Sequence, residues 1–316
     1  MPRIWEPNRW YSLLRFYVDA FTRASYSRLR TEGTLPQEGA LIIAPNHCNT
    51  LMDALVVLQD RRAATVFGAR ADIFQKAGKA LRFLRILPMA RHRDGLAIQR
   101  NSYATFDEVE DTLAHGVPFC MFPEGRHTPG REVQPLRKGI VRIALRSAAS
   151  RHTLIVPAGL SYSHFFRFRG SAQLRYGAPL DVNTFLEQHK DLEEQTLTAA
   201  ILEDLHGRIQ ALVPSQAPAW KPRWWELPLW PLAAVLALPI WLPAEILCHK
   251  IADKAFCNSV RFLAKLVLTP LALLIWGILG FVLLPWWLSA ALLVLYLVSY
   301  SIFYDGLLVL RRSDLF

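Results

Sequence analysis

The sequence predicts an α/β domain with a mixed, largely parallel sheet flanked by helices, carried on a helical membrane segment. Three observations predict it. Short apolar runs alternate with longer mixed segments between residues 41 and 176, the order of an α/β domain. Most of those runs are continuous rather than alternating, as strands covered on both faces are. The last third of the chain is different, because residues 266–304 are 39 positions without a charge. With 52% hydrophobic and 20% charged residues, the chain is neither disordered nor fibrous.

The elements follow in order. No apolar stretch opens the chain, so no cleaved signal peptide is expected. Residues 8–29 read as an amphipathic helix, with Trp10, Leu13, Leu14, Tyr17, Val18, Phe21 and Ala24 on one face. That stripe suits docking on the core, or the membrane interface with Trp and Tyr at headgroup level. Residues 41–44, 65–68, 119–122 and 154–156 read as buried strands. Residues 172–176 alternate, as a half-exposed edge strand does. Residues 97–115, stopped by Gly116, and 138–150 read as helices. One further helix is expected over 183–212, capped by Asn183. Prolines 214, 218 and 222 then mark a linker.

The domain division is therefore 1–30, a membrane-interface helix; 31–213, the α/β domain; 214–226, the linker; and 227–316, the membrane region. A helix over residues 266–304 would run ~58 Å, about twice a ~30 Å hydrocarbon core. A hairpin turning near Pro285 fits better. Residues 227–248 carry Pro228, Pro231, Pro239 and Pro243, which disrupt a straight helix. A re-entrant or interfacial segment is expected there. Keeping residues 221–223, 250–265 and 311–312, all rich in Lys and Arg, on the cytoplasmic side requires the same arrangement. The catalytic domain is then cytoplasmic and the protein an integral, multi-pass one.

The net charge is +10, and residues 225–316 hold six Lys/Arg against five Asp/Glu. The excess thus lies in the N-terminal two thirds. It suits anionic lipid or phosphorylated substrates. A nucleic-acid binder would explain the charge but not the uncharged stretch, so no nucleic-acid partner is expected. Cys48, Cys120, Cys248 and Cys257 have no metal spacing, and no metal is expected. Cys48 beside His47 suggests a nucleophile, but neighbouring side chains point apart.

Two strings carry chemistry. Asn46-His47 follows the strand at 41–44, and Asp53 lies six residues on, able to fold back from the first turns of a helix. A His held by a carboxylate is the base half of a triad. Phe122-Pro123-Glu124-Gly125-Arg126-His127 follows the strand at 119–122, so both sit at the carboxyl edge, where α/β sheets place ligands.

Together these strings resemble the glycerolipid acyltransferase superfamily, which acylates glycerol 3-phosphate, lysophosphatidic acid and related lysolipids. The resemblance covers roughly residues 40–180 in four blocks: Asn46-His47 with Asp53, residues 87–91, residues 122–125 and residues 155–159. It implies that His47 and Asp53 are catalytic, that Arg91 contacts the acceptor phosphate, and that Glu124 and Gly125, with Arg126, hold the glycerol moiety. Pro157 would line the acyl-donor side. Asn46, Arg93 and Lys138 are further candidates. Five residues separate His47 from Asp53, where four are common, and Arg126 follows Gly125 directly. The extra residue, and residues 134–139, are similar to a branch resembling yeast-type glycerol-phosphate and dihydroxyacetone-phosphate acyltransferases.

The resemblance implies a membrane-bound O-acyltransferase of phospholipid biosynthesis. Its partners would be the bilayer, acyl-CoA or acyl-carrier protein as co-substrate, and a glycerol phosphate or lysophospholipid acceptor. No cofactor is expected. Two alternatives are a lysophospholipid acyltransferase or transacylase with another head group, and an inactive membrane-tethered scaffold. The scaffold predicts damage at His47, Asp53 or Glu124, and all three are intact.

Overall fold

The computed structural model describes residues 3–60, 64–90, 102–221 and 223–310. The chain opens with helix α1 (Arg9–Ala24), whose N-cap Asn8 accepts from the Trp10 and Tyr11 amides, as short polar caps do. The helix stops at Ser25, short of the expected residue 29. The chain then extends as β1 (Tyr26–Glu32). The apolar spacing stops at residue 24, and Tyr26 and Leu29 instead pack on the core as a strand.

Next come β2 (Ala40–Pro45), α2 (Leu51–Asp60), β3 (Val66–Arg70), α3 (Phe74–Phe83) and β4 (Ile86–Met89). They are followed by α4 (Ser102–Ala114), β5 (Phe119–Cys120), α5 (Gly139–Ala148), β6 (Thr153–Tyr162), β7 (Arg169–Tyr176) and β8 (Leu180–Asp181). The expected single helix over 183–212 is two: α6 (Val182–Gln188) and α7 (Glu194–Leu212). Its cap is Asp181, which accepts from the Thr184 amide, rather than Asn183. Asn183 Oδ1 instead accepts from the Thr153 amide at 2.9 Å.

The strands form one sheet in the order β1-β7-β6-β2-β5-β3-β4, with β8 against β6. β6, β2, β5, β3 and β4 run parallel, and β7 and β8 run antiparallel to β6. The fold is thus mixed and largely parallel. β7 is not the half-exposed edge that its alternation predicts. β1 pairs on its outer side, and nearly all of its residues are buried. Ser171 and Gln173, polar at alternate positions, bond to the Ala219 carbonyl and the Glu32 carboxylate. The polar phase of the strand therefore marks hydrogen-bond partners, not solvent.

The sheet has two different faces. One buries Ile42, Phe119, Ile140, Ile155 and Leu205 under α4, α5 and α7. The other buries Ile43, Met52, Leu160 and Leu174 in a core that continues into the C-terminal helices. Those are α8 (Trp230–Lys250), α9 (Cys257–Leu283) and α10 (Trp286–Leu310). The turn at Leu284 and Pro285 falls where the hairpin was expected. α8 tolerates its prolines, because Pro231 lies in the first turn, where an amide hydrogen has no helical partner. Pro239 and Pro243 sit inside it without ending it.

Among the described residues, three helical segments are long and apolar enough to cross a membrane: Trp225–Lys250, Lys254–Leu283 and Trp286–Val309. α8 begins and ends near the base of the hairpin. Trp230 stacks on Phe303, and Gly306 leaves room for the indole, since a Cβ there would stand 1.9 Å from it. Glu245 pairs with Arg261 at 2.7 Å and accepts from Tyr304. Arg169 at the start of β7 forms a buried pair with Asp305. The linker is docked, not free, through Ser171 and the Ala219 carbonyl.

Candidate active site

β2 is central in the sheet, with β5 and β6 on either side. Loops that leave the carboxyl ends of β2 and β5 must therefore meet, although residues 47 and 124 are far apart in sequence. His47 Nδ1 lies 2.8 Å from Asp53 Oδ2. Asp53 sits in the first turn of α2, where a carboxylate suits the helix dipole. It is fully buried. Its Oδ2 also accepts from the amides of Cys48 (2.8 Å) and Asn49 (2.7 Å), and its Oδ1 from Tyr162 Oη (2.7 Å).

Burial and the neighbouring carboxylate push the Tyr162 phenol well above its usual range, so it stays a donor. With Asp53 surrounded by donors, the tautomer that fits is the one in which Nδ1 of His47 donates to the carboxylate. The imidazole stacks on Phe122, with ring centroids 4.3 Å apart.

The backbone of His47 is fixed from both sides. Its amide donates to Glu124 Oε1 at 2.8 Å, and its carbonyl accepts from the Thr128 amide at 2.9 Å. Burial raises the Glu124 carboxyl to about 7, against the His47 and Gln134 amides that lower it. Glu124 is 2% exposed, so its observed work is to hold the His47 loop. Gly125 turns with φ +70°, and the Arg137 stem lies 3.3 Å from where a Cβ would stand.

Arg126 and Lys138 are exposed, Lys138 at the N-terminus of α5. Arg91 and Arg93 lie outside the described residues. Asn46 is buried and spends its amide on β6, accepting from Leu160 N (2.6 Å) and donating to Leu160 O (3.1 Å). It clasps β2 to β6. Pro157 is buried in mid-strand opposite Ala44, because β6 runs on to Tyr162, and its described contacts do not bring it to His47. Cys48 is buried, and its thiol is pushed well above the usual range, first by burial and then by Asp53. It cannot supply a thiolate.

Three features carry no signal of their own in the sequence. Tyr162 reaches Asp53 because β6 neighbours β2. His127 stands edge-on to His47, with centroids 5.8 Å apart, and its Nε2 lies 2.8 Å from Asp253. Thr50, at φ +47°, is held by Ser259 at 2.6 Å and by the Ala255 carbonyl. Asp253, Ala255 and Ser259 come from the turn into α9, so the helical region braces the loop that carries His47. Among the described residues, no three His, Cys, Asp or Glu side chains gather as a metal requires.

The sheet thus places a hydrogen-bonded His–Asp pair at the end of a central strand. The family model described as Acyltransferase matches residues 27–161, the stretch that carries β2 to β5 and the His47–Asp53 pair. The chain is 28% identical over 120 residues to an uncharacterized acyltransferase of Schizosaccharomyces pombe, covering 37% of this chain and 18% of that protein. It is 34% identical over 98 residues to glycerol-3-phosphate O-acyltransferase 2 of Saccharomyces cerevisiae, covering 30% of this chain and 13% of that one. The matches thus span less than a fifth of these relatives' length. The crystal structure of the 1-acyl-sn-glycerophosphate (LPA) acyltransferase PlsC from Thermotoga maritima superposes with TM-score 0.47 at 19% identity. It covers 67% of this chain and 86% of that one.

Proposed function

We propose that this chain transfers a fatty acyl group from an acyl thioester to a hydroxyl of glycerol 3-phosphate or its monoacyl form. The observation that carries the reading is the His47–Asp53 bond at 2.8 Å, with Nε2 left free as a base. Nε2 takes the proton of the acceptor hydroxyl as its oxygen attacks the thioester carbonyl. The tetrahedral intermediate collapses and expels the thiolate, which takes the proton back from His47. No covalent enzyme intermediate is needed, because a thiolate already leaves well. Proton removal of this kind contributes roughly 10²–10⁴-fold.

Arg91 binds the acceptor phosphate in this reading, where a guanidinium fork suits bidentate contact. Arg126 and Lys138 add positive charge around Gly125. The glycerol-phosphate acceptor draws support from the printed name of the S. cerevisiae relative. Acyl-CoA or acyl-carrier protein is the donor.

The protein is an integral one in this proposal, with its catalytic domain on the cytoplasmic face. α9 and α10 cross as a hairpin, while α8 stays on the catalytic side. Support comes from the contacts of α8 with Phe303 at its start and with Arg261 near its end. A cysteine placed near residue 253 should label from the catalytic side, and one near Pro285 from the opposite side.

The test of function is to incubate the purified protein with labelled acyl-CoA and a panel of acceptors. Labelled lysophosphatidate or phosphatidate, absent with His47→Ala, is expected. Label on other lysophospholipids alone would replace the acceptor assignment.

A further inference from the structure

Lys265, on the third turn of α9, is 4% exposed. Its Nζ stands over three rings, Phe21 at 5.6 Å, Phe168 at 5.9 Å and Tyr300 at 5.4 Å. It donates to one described acceptor, the Ala24 carbonyl that ends α1, at 3.3 Å. An ammonium has three donors. The carboxylate of Asp305 is taken by Arg169, with contacts of 2.7–3.2 Å. Among the described residues, no acid lies within 4.0 Å of Lys265. A buried cation that faces rings and one carbonyl is short of a counter-charge.

Space for that counter-charge is present. Lys265 borders a cavity of about 140 Å³ between α1, α8, α9 and α10. Tyr296 lines the same cavity, and its buried hydroxyl has no hydrogen-bond partner. Two residues with unspent donors, Lys265 and Tyr296, therefore line one space. Leu297, on its wall, is 52% exposed on the outer side of the helices.

Beyond Tyr296 a second cavity of about 210 Å³ is lined by Leu236, Leu279, Leu283 and Leu293. Tyr296 is the wall the two share. A largely apolar chamber with an ammonium on its wall, adjoining a wholly apolar one, matches an amphiphile with an anionic head. Lys265 is six residues along α9 from Ser259, which touches the His47 loop, so the chamber lies ~9 Å further along the helix.

We propose that this pair of chambers is a binding site for an anionic phospholipid drawn from the adjoining leaflet. The phosphate oxygens accept from Lys265 Nζ and Tyr296 Oη, and an acyl chain lies along Leu236, Leu283 and Leu293. The first chamber holds a phosphate with its nearest carbons, which favours a small head group such as a phosphomonoester. The site is separate from the His47–Asp53 pair and does not depend on the reaction assigned to it.

The test uses the full chain in phosphatidylcholine nanodiscs with and without phosphatidic acid, followed by native mass spectrometry of the lipid retained after release. Wild type should keep phosphatidic acid in preference to phosphatidylcholine. Lys265→Met and Tyr296→Phe should each reduce that retention roughly tenfold or more, as loss of a hydrogen bond to a charged group does. Tyr296→Phe removes one oxygen and keeps the ring, so it decides the matter if Lys265→Met fails to fold. Equal retention by both folded variants would overturn the site. So would equal retention of the two lipids by wild type. Displacement of the lipid by inorganic phosphate alone would overturn the lipid source.

Discussion

The two faces of the sheet are built from the same strands and solve different problems. On one face α4, α5 and α7 turn apolar sides inward and charged sides outward, as at Arg146 with Asp107 and Glu110. On the other face the core runs on into α8, α9 and α10, whose outer sides expose Leu271, Leu274, Phe281 and Trp286. An exposed apolar surface of that extent marks a membrane or partner surface. The first face is finished by water, and the second leaves an apolar surface for a membrane or a partner. The His47 loop sits where the two meet, anchored by Glu124 on the domain side and by Ser259 on the helical side. The His47 loop is thus fixed by the α/β core and braced by the C-terminal helices at once.

Substitutions can break that comparison in order of size. His47→Ala should lower acyl transfer by roughly 10²–10⁴-fold with little change in thermal unfolding. Asp53→Asn should lose most of the rate as well, through the wrong tautomer. Transfer within about tenfold of wild type in His47→Ala would remove it as the base.

At the seam, Arg169→Met leaves Asp305 buried without its partner and should cost about 3–5 kcal/mol. The half-exposed Arg208–Asp204 pair is the control, where Arg208→Met should cost under about 1 kcal/mol. Denaturant titration in a membrane mimetic measures both. Equal costs would mean that the seam is no more buried than the outer face.

Glu124 gives a pH signature. Its carboxyl is raised to about 7 in the folded protein, against about 4.3 when unfolded. Between those values the folded state binds the extra proton, so stability is full below about pH 4 and falls as pH rises through 7. The loss is on the order of 3 kcal/mol. Melting curves across that range should show the slope in wild type and lack it in Glu124→Gln. An unchanged slope in the variant would assign it to another group.

Ser259→Ala should be a small change, about 1 kcal/mol, from one lost hydrogen bond to Thr50. Its sharper readout is the transfer rate. A fall with Km unchanged would show that the helical region positions His47, whereas no change would make the brace purely structural.

Much of this was legible in the sequence. Local patterns decided the α/β order, the His–Asp pair, the Pro-Glu-Gly loop and the hairpin turn at Pro285, because each depends on residues within a few positions of one another. A continuous apolar run needs two covered faces whatever covers them, and an Asp in the first turn of a helix reaches back to the preceding loop. Tertiary structure alone decided the rest. β7 became internal because β1, read as the end of a helix, pairs outside it. Glu124 serves the His47 backbone, and Asn46 serves β6, because strand order made distant loops neighbours. Tyr162, His127 and Lys265 acquired partners, or lacked them, only once the strands and helices had packed. Side-chain pairing across an interface depends on relative position in space, which no spacing along the chain encodes.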